Sequence, residues 1–100
     1  MRTIYKQQLD ITDLQVVEIQ KNSKILHIDI QGEHSVCMWY ECESTEEKVE
    51  LNIHCFGTGH EMPTQDDNLE YIGTVLILNG CGVFHYYISP VFKSWNIHRI

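Results

Sequence analysis

One hundred residues, 43% of them hydrophobic and 21% charged, suffice for one buried core and not for two, so a single globular domain is expected. Seven Lys and Arg against fourteen Asp and Glu leave a net charge of −7, which argues against direct binding to a nucleic-acid backbone, since that needs a basic stripe to release counterions. No apolar run approaches the ~18 residues of a spanning helix and residues 1–6 lack the apolar stretch of a signal peptide, so a cytoplasmic protein with no membrane partner is expected.

In chain order, residues 3–11 carry Tyr5, Leu9 and Ile11 at one parity and predict a first strand. Thr12-Asp13 can turn the chain, and residues 15–20, with Val16, Val17 and Ile19, predict a second. After a polar turn, residues 25–31 alternate, with Leu26, Ile28 and Ile30 on one face and His27 and Asp29 on the other. Gly32-Glu33, followed by His34 and Ser35, makes a hairpin connection to residues 36–41. There Val36, Met38 and Tyr40 oppose Cys37 and Trp39, so apolar side chains occupy both faces, as in a central strand.

Acids concentrate in residues 41–50 and 61–70, read as two solvated loop segments. Between them residues 49–56 alternate again, with Val49, Leu51, Ile53 and Cys55 inward and Glu50, Asn52, His54 and Phe56 outward. Gly57-Thr58-Gly59-His60 is a loop whose glycines permit backbone conformations closed to other residues. The most apolar part of the chain, residues 71–88, contains Asn79-Gly80 between two β-branched and aromatic runs, the strongest short-range signal of a hairpin with a type I′ turn. Pro90 ends that run, because proline cannot donate to a ladder.

Residues 89–100, with Phe92, Trp95 and Ile97, read as a tail packed on the domain of residues 1–88 or on a partner subunit. The four cysteines, Cys37, Cys42, Cys55 and Cys81, stand singly with no Cys-x-x-Cys pair, as small buried hydrophobes kept reduced. About seven short strands joined by tight turns predict an all-β fold, a small antiparallel β-sandwich or barrel.

Several segments, in their order, resemble a family of short uncharacterised proteins encoded in phage and prophage genomes. They are Ile4-Tyr5-Lys6 with Leu9 and Ile11, Ile25-Leu26-His27, Met38-Trp39, Gly57-Thr58-Gly59-His60, Tyr71-Ile72-Gly73-Thr74 and Val83-Phe84-His85. The resemblance covers roughly residues 1–88, with the tail and the cysteine-rich core departing from the pattern. It implies a domain of unknown function in a phage setting and brings no catalytic residue with it.

Three constellations could carry chemistry. Gly57, Thr58, Gly59 and His60, with His85, form a candidate ligand-binding group: glycines let backbone N–H groups approach an anion, charge would come from Arg2, Lys6 or Lys48, and Trp39, Tyr71 or Tyr86 would give a stacking face. The alternative reading of Gly-x-Gly in a β-protein is a turn or bulge. His54, His60 and His85, with Cys55 or Glu61, could supply ligands to zinc or iron, but the spacing matches no known ligand pattern, so no metal and no cofactor are expected. A nucleophilic pair such as Cys55 and His85 has nothing to bring it together, and a buried thiol is inert. Glu46, Glu47 and Glu50, together with Trp95, are the candidate partner-binding residues, and the two apolar faces of the last hairpin favour a homodimer.

These readings converge on a non-enzymatic accessory protein that acts by stoichiometric binding. It would inhibit a bacterial defence system by occupying a host protein or by sequestering a small nucleotide ligand. The alternatives are a small metal-dependent enzyme using the histidines and a minor structural component of a virion.

Overall fold

The computed structural model describes residues 1–62, 69–77, 80–90 and 98–99. The apolar runs become β1 (Arg2–Leu9), β2 (Leu14–Gln20), β3 (Lys24–Gln31), β4 (Ser35–Glu43), β5 (Lys48–Gly57), β6 (Glu70–Ile77), β7 (Gly82–Pro90) and a two-residue β8 (His98–Arg99). They form two four-stranded sheets, β1-β4-β3-β8 and β2-β5-β7-β6, antiparallel except where β8 runs parallel to β3. The fold is therefore the expected antiparallel sandwich.

The inward faces meet in one core. Leu9, Ile25, Ile28, Val36, Met38, Tyr40 and Cys42 come from the first sheet, and Val17, Ile19, Leu51, Ile53, Cys55, Ile72, Val75, Tyr86 and Ile88 from the second. At ~1.5–3 kcal/mol for each large apolar side chain removed from water, this layer is the main term holding the sheets together. The alternation read in β5 is the one observed, with Leu51, Ile53 and Cys55 buried. β4 is central in its sheet, as its two apolar faces indicated, with Val36, Cys37 and Met38 all buried.

Two strands depart from simple alternation. In β3 the register with β4 shifts between Ile25 and His27, so Ile25 and Ile28 are the buried residues while Leu26 is only half-buried. A bulge adds one residue and moves the residues after it to the other face, which a period-two reading of Leu26, Ile28 and Ile30 cannot anticipate. A second shift, between Tyr71 and Gly73, occurs in β6. In β1 only Leu9 of the predicted apolar face is buried. Ile4 and Tyr5 on β1, and Ile11 just past its end at Leu9, are exposed, because β1 is an edge of the first sheet and the second sheet packs through β6 against β3.

The turns follow their residue types. The β3–β4 hairpin closes at Gln31 and Ser35, with Gly32 at φ 72°. The β6–β7 register closes at Ile77 opposite Gly82, and Gly80 in the connection has φ 90°, the left-handed region that glycine enters without steric cost. Asn79 itself lies outside the described residues, as do residues 63–68 and, in the tail, Phe92 and Trp95.

The crossover between the sheets after β1 is fastened at Asp10. Its backbone exchanges hydrogen bonds with the Gln15 side-chain amide at 2.8 and 3.0 Å, and its carbonyl also accepts one from the Tyr86 hydroxyl at 3.1 Å.

Cys37, Cys42 and Cys55 are buried free thiols as predicted, and burial pushes the Cys42 and Cys55 thiols up. Cys81 departs from that reading: it lies exposed in the β6–β7 turn, outside the strands that bury the other three. With Ellman's reagent the native protein should therefore show one fast thiol per chain, removed by Cys81→Ser. The other three should react only after denaturation. More than one fast thiol in the native state would contradict the burial of the core cysteines.

Candidate functional site

In an antiparallel pair, directly opposed residues point to the same side of the sheet, so the registers of the second sheet define its outward face. One row across it is Leu14, His54, Tyr87 and Tyr71, and an adjacent row is Phe56, His85 and Thr74. The rings touch. Tyr87 lies edge-on to Tyr71 at 5.5 Å and to Phe56 at 5.7 Å between centroids, and His54 lies nearly parallel to Phe56 at 6.4 Å. No layer covers them among the described residues. Tyr71 is 40% exposed, Leu14 and Val16 on the β2 edge are 54% and 53% exposed, and Leu76 on the β6 edge is 60% exposed.

At the β5 end of this face the Gly57-Thr58-Gly59-His60 turn meets β7, because Phe56 pairs with His85 and Gly57 with Phe84. The Thr58 N–H donates to the Val83 carbonyl at 3.2 Å and the His60 N–H to the Gly57 carbonyl at 3.0 Å. A Cβ at Gly57 would stand 2.8 Å from Cε1 of His60, so the exposed imidazole rests against the glycine and would have to swing aside for any side chain there, while Gly59 has φ 88°. Thus all five predicted ligand-binding residues, Gly57, Thr58, Gly59, His60 and His85, line one open cleft of ≈ 280 Å³, together with Phe56, Met62 and Tyr87.

His85 is held at both ring nitrogens. Nε2 is 2.7 Å from Thr58 Oγ1, and Nδ1 is 2.9 Å from Thr74 Oγ1, which is itself 2.6 Å from the Tyr71 hydroxyl. A neutral imidazole has one donor and one acceptor, and hydroxyls can serve as either, so this chain satisfies every member. The group that orients the imidazole is a hydroxyl, whereas a hydrolytic triad uses a carboxylate to stabilise the imidazolium formed during catalysis. The arrangement fixes the orientation of the imidazole through hydroxyl partners, with no carboxylate in this chain of contacts.

Other side chains expected at this cleft are placed elsewhere. Tyr86 cannot be a stacking face, because it is buried in the core with 0% exposure; the partner ring at the cleft is Tyr87. Trp39 lies on β4 in the opposite sheet, stacked on His27 at 6.2 Å. Arg2 and Lys6 are on β1 in that sheet as well, bonded to Glu41 at 2.8 Å and to Gln31 at 2.5 Å. Lys48 begins β5, roughly 30 Å along the strand from Gly57 at about 3.4 Å per residue. No Lys or Arg lines the cleft among the described residues.

Nor do the predicted metal ligands converge: His54 shares a 2.8 Å hydrogen bond with Ser89, His85 is held by the two threonines, and among the described residues no group of three His, Cys, Asp or Glu side chains is placed to hold an ion. Cys55 is an inward core residue bordered by Tyr86, away from the outward His85.

The acidic segment at residues 41–50 is not one loop. Glu41 and Glu43 end β4, where Glu41 pairs with Arg2 and Glu43 with the N-terminal ammonium. A hydrogen bond from that ammonium holds the Glu43 carboxyl below the usual carboxylate range. Only residues 44–47 turn, and the turn is anchored by Ser44 N–H to the Met1 carbonyl, by Glu46 N–H to the Glu43 carbonyl and by Lys21 N–H to the Glu47 carbonyl, at 2.9–3.0 Å. Glu50 stands on β5 on the outward face, directly opposite Glu18 of β2. Sequence reading singled out Glu50 and missed Glu18, because a cross-strand partner more than thirty residues away leaves no local signal.

The chain belongs to the family described as Domain of unknown function (DUF7352), which it matches over residues 1–96. The match therefore reaches beyond residue 88 into the tail. No curated protein and no solved structure matches it.

Proposed function

We propose that this protein is a non-enzymatic phage or prophage accessory factor that works by stoichiometric binding in the host cytoplasm, occupying a host protein so as to inhibit a bacterial defence system. The observation that carries the binding role is the aromatic face of the second sheet, uncovered among the described residues, with Tyr87 in contact with both Phe56 and Tyr71 and apolar residues along the β2 and β6 edges. A contiguous apolar surface of this kind on a small domain marks an interaction site. The phage setting rests on the resemblance of the short segments, and inhibition is the sharpest form that stoichiometric binding takes in that setting.

A second reading, sequestration of a nucleotide, draws on the 280 Å³ cleft that gathers Gly57, Thr58, Gly59, His60 and His85 beside two aromatic rings. The lack of Lys or Arg among its described lining residues weighs against an anionic ligand, and for that reason we favour a protein partner.

The acidic turn gives the test. Reversing Glu46, Glu47 and Glu50 to Lys should abolish protection of a restricted phage when the protein is expressed in its host, with a thermal midpoint no lower than that of the wild type, since Lys at position 50 would face Glu18. Unchanged protection would sink the acidic-surface version of the proposal. Native mass spectrometry of protein purified without chelator then separates the two readings. A nucleotide-sized added mass would favour sequestration, and a bare multiple of the chain mass would favour a protein partner while giving the subunit count.

A further inference from the structure

The outward face of the second sheet carries two kinds of chemistry in fixed relation. Its aromatic row, His54 with Tyr87 and Tyr71, lies four residues along β5 from the row in which Glu18 opposes Glu50. At about 3.4 Å per residue that is roughly 13 Å. Two carboxylates directly opposed across an antiparallel pair repel each other, a disfavoured arrangement for a sheet that has only itself to satisfy. Neither is ion-paired among the described residues, and both are exposed. Glu46 and Glu47 extend the negative charge beyond the sheet in a hydrogen-bonded turn, with Lys48 on β5 and Lys21, whose backbone N–H bonds the Glu47 carbonyl, as neighbouring cations.

We infer that this face is a docking surface for an arginine-bearing segment of another protein, with guanidinium groups lying on the Phe56, Tyr71 and Tyr87 rings and forking onto Glu18 and Glu50. The inference rests on the reading that the chain acts by binding a protein, and it names the partner's chemistry. Arginine suits both rows, since its planar ion stacks on aromatic faces and binds carboxylates through two parallel N–H bonds, which an ammonium cannot do. A cation arriving between Glu18 and Glu50 also turns their mutual repulsion into attraction. A second copy of this chain is a poorer occupant, because it would bring a net charge of −7 against −7.

The experiment is amide-shift mapping of the full chain, isotopically labelled, titrated with nona-arginine and separately with nona-lysine at physiological salt. Nona-arginine should shift amides in both rows, around Phe56, Tyr71 and Tyr87 and around Glu18 and Glu50, and bind roughly tenfold more tightly than nona-lysine. Tyr87→Ala should erase the arginine preference, and Glu18→Gln with Glu50→Gln should weaken both peptides, each variant being checked for an unchanged amide spectrum elsewhere.

Equal binding of the two peptides with shifts confined to residues 44–50 would overturn the inference in favour of nonspecific charge attraction. Concentration-dependent shifts of this face without peptide would overturn it in favour of self-association. If the face fails these tests while the protein still protects phage, only the assigned surface is wrong. Loss of protection under every condition would instead remove the binding role on which it rests.

Discussion

Replacing Gly73 by Ala is expected to destabilise the protein by about 1–3 kcal/mol, the usual cost of forcing an extra carbon into a packed core, and Gly73→Val by more. Gly73 follows the bulge of β6 and pairs with Tyr86. A Cβ there would overlap Cγ2 of Ile28 and stand 3.3 Å from its Cβ. Ile28 is itself buried in β3, so its side chain has little room to yield, and this is where the two sheets approach most closely through a glycine. The check is a denaturant or thermal midpoint: at this chain length each kcal/mol lowers Tm by roughly 4–8 °C.

The contact predicts its own relief. Ile28→Ala removes Cγ2 and costs about 2–5 kcal/mol alone, but in combination with Gly73→Ala the loss should fall at least ~1 kcal/mol short of the sum. Simple additivity would show that the two residues do not meet.

The second large effect is expected at Tyr86. Its ring is fully buried between the sheets, and its hydroxyl reaches the Asp10 carbonyl at 3.1 Å in the crossover between β1 and β2. Tyr86→Ala should cost about 3–5 kcal/mol, through lost burial and the cavity left behind. Tyr86→Phe should cost only about 1 kcal/mol, because the Asp10 carbonyl keeps its bond from Gln15.

The two variants also separate packing from ionisation. Burial, followed by the neighbouring Cys55, pushes the Tyr86 phenol well above the ordinary tyrosine range. A group whose folded pKa is raised contributes stability that is fully present below its unfolded pKa. Wild-type stability should therefore begin to fall above pH ~10, by up to ~1.4 kcal/mol per pH unit from this group, as the unfolded phenol loses its proton and the folded one keeps it. Tyr86→Phe should remove that contribution, leaving a shallower decline from the Tyr40 phenol and from the buried Cys42 and Cys55 thiols, whose part begins at lower pH. Identical alkaline slopes in the two proteins would contradict the role assigned to the phenol.

The strands and most of their turns were legible in the amino-acid sequence, because both are written in short-range chemistry. Alternation fixed the inward face of β5, apolar residues on both faces marked β4 as central, and Gly32 and Gly80 carry the positive φ their hairpins need. Their count and brevity then left a sandwich or barrel. The Gly57–His60 turn was likewise visible as a loop.

The remaining features depend on pairing between residues distant in sequence. The bulges in β3 and β6 slide the register by one residue, so that Ile25 turns inward and Gly73 meets Ile28, and the residue pattern along either strand gives no sign of the slip. Pairing of Phe56 with His85 brought the glycine turn and the last hairpin into one cleft, while Trp39, Arg2 and Lys6 went to the other sheet. Glu18 became a neighbour of Glu50 only through the β2–β5 register. Local sequence sets which residues can form a strand, but the burial that selects partners, register and faces is shared by the whole chain.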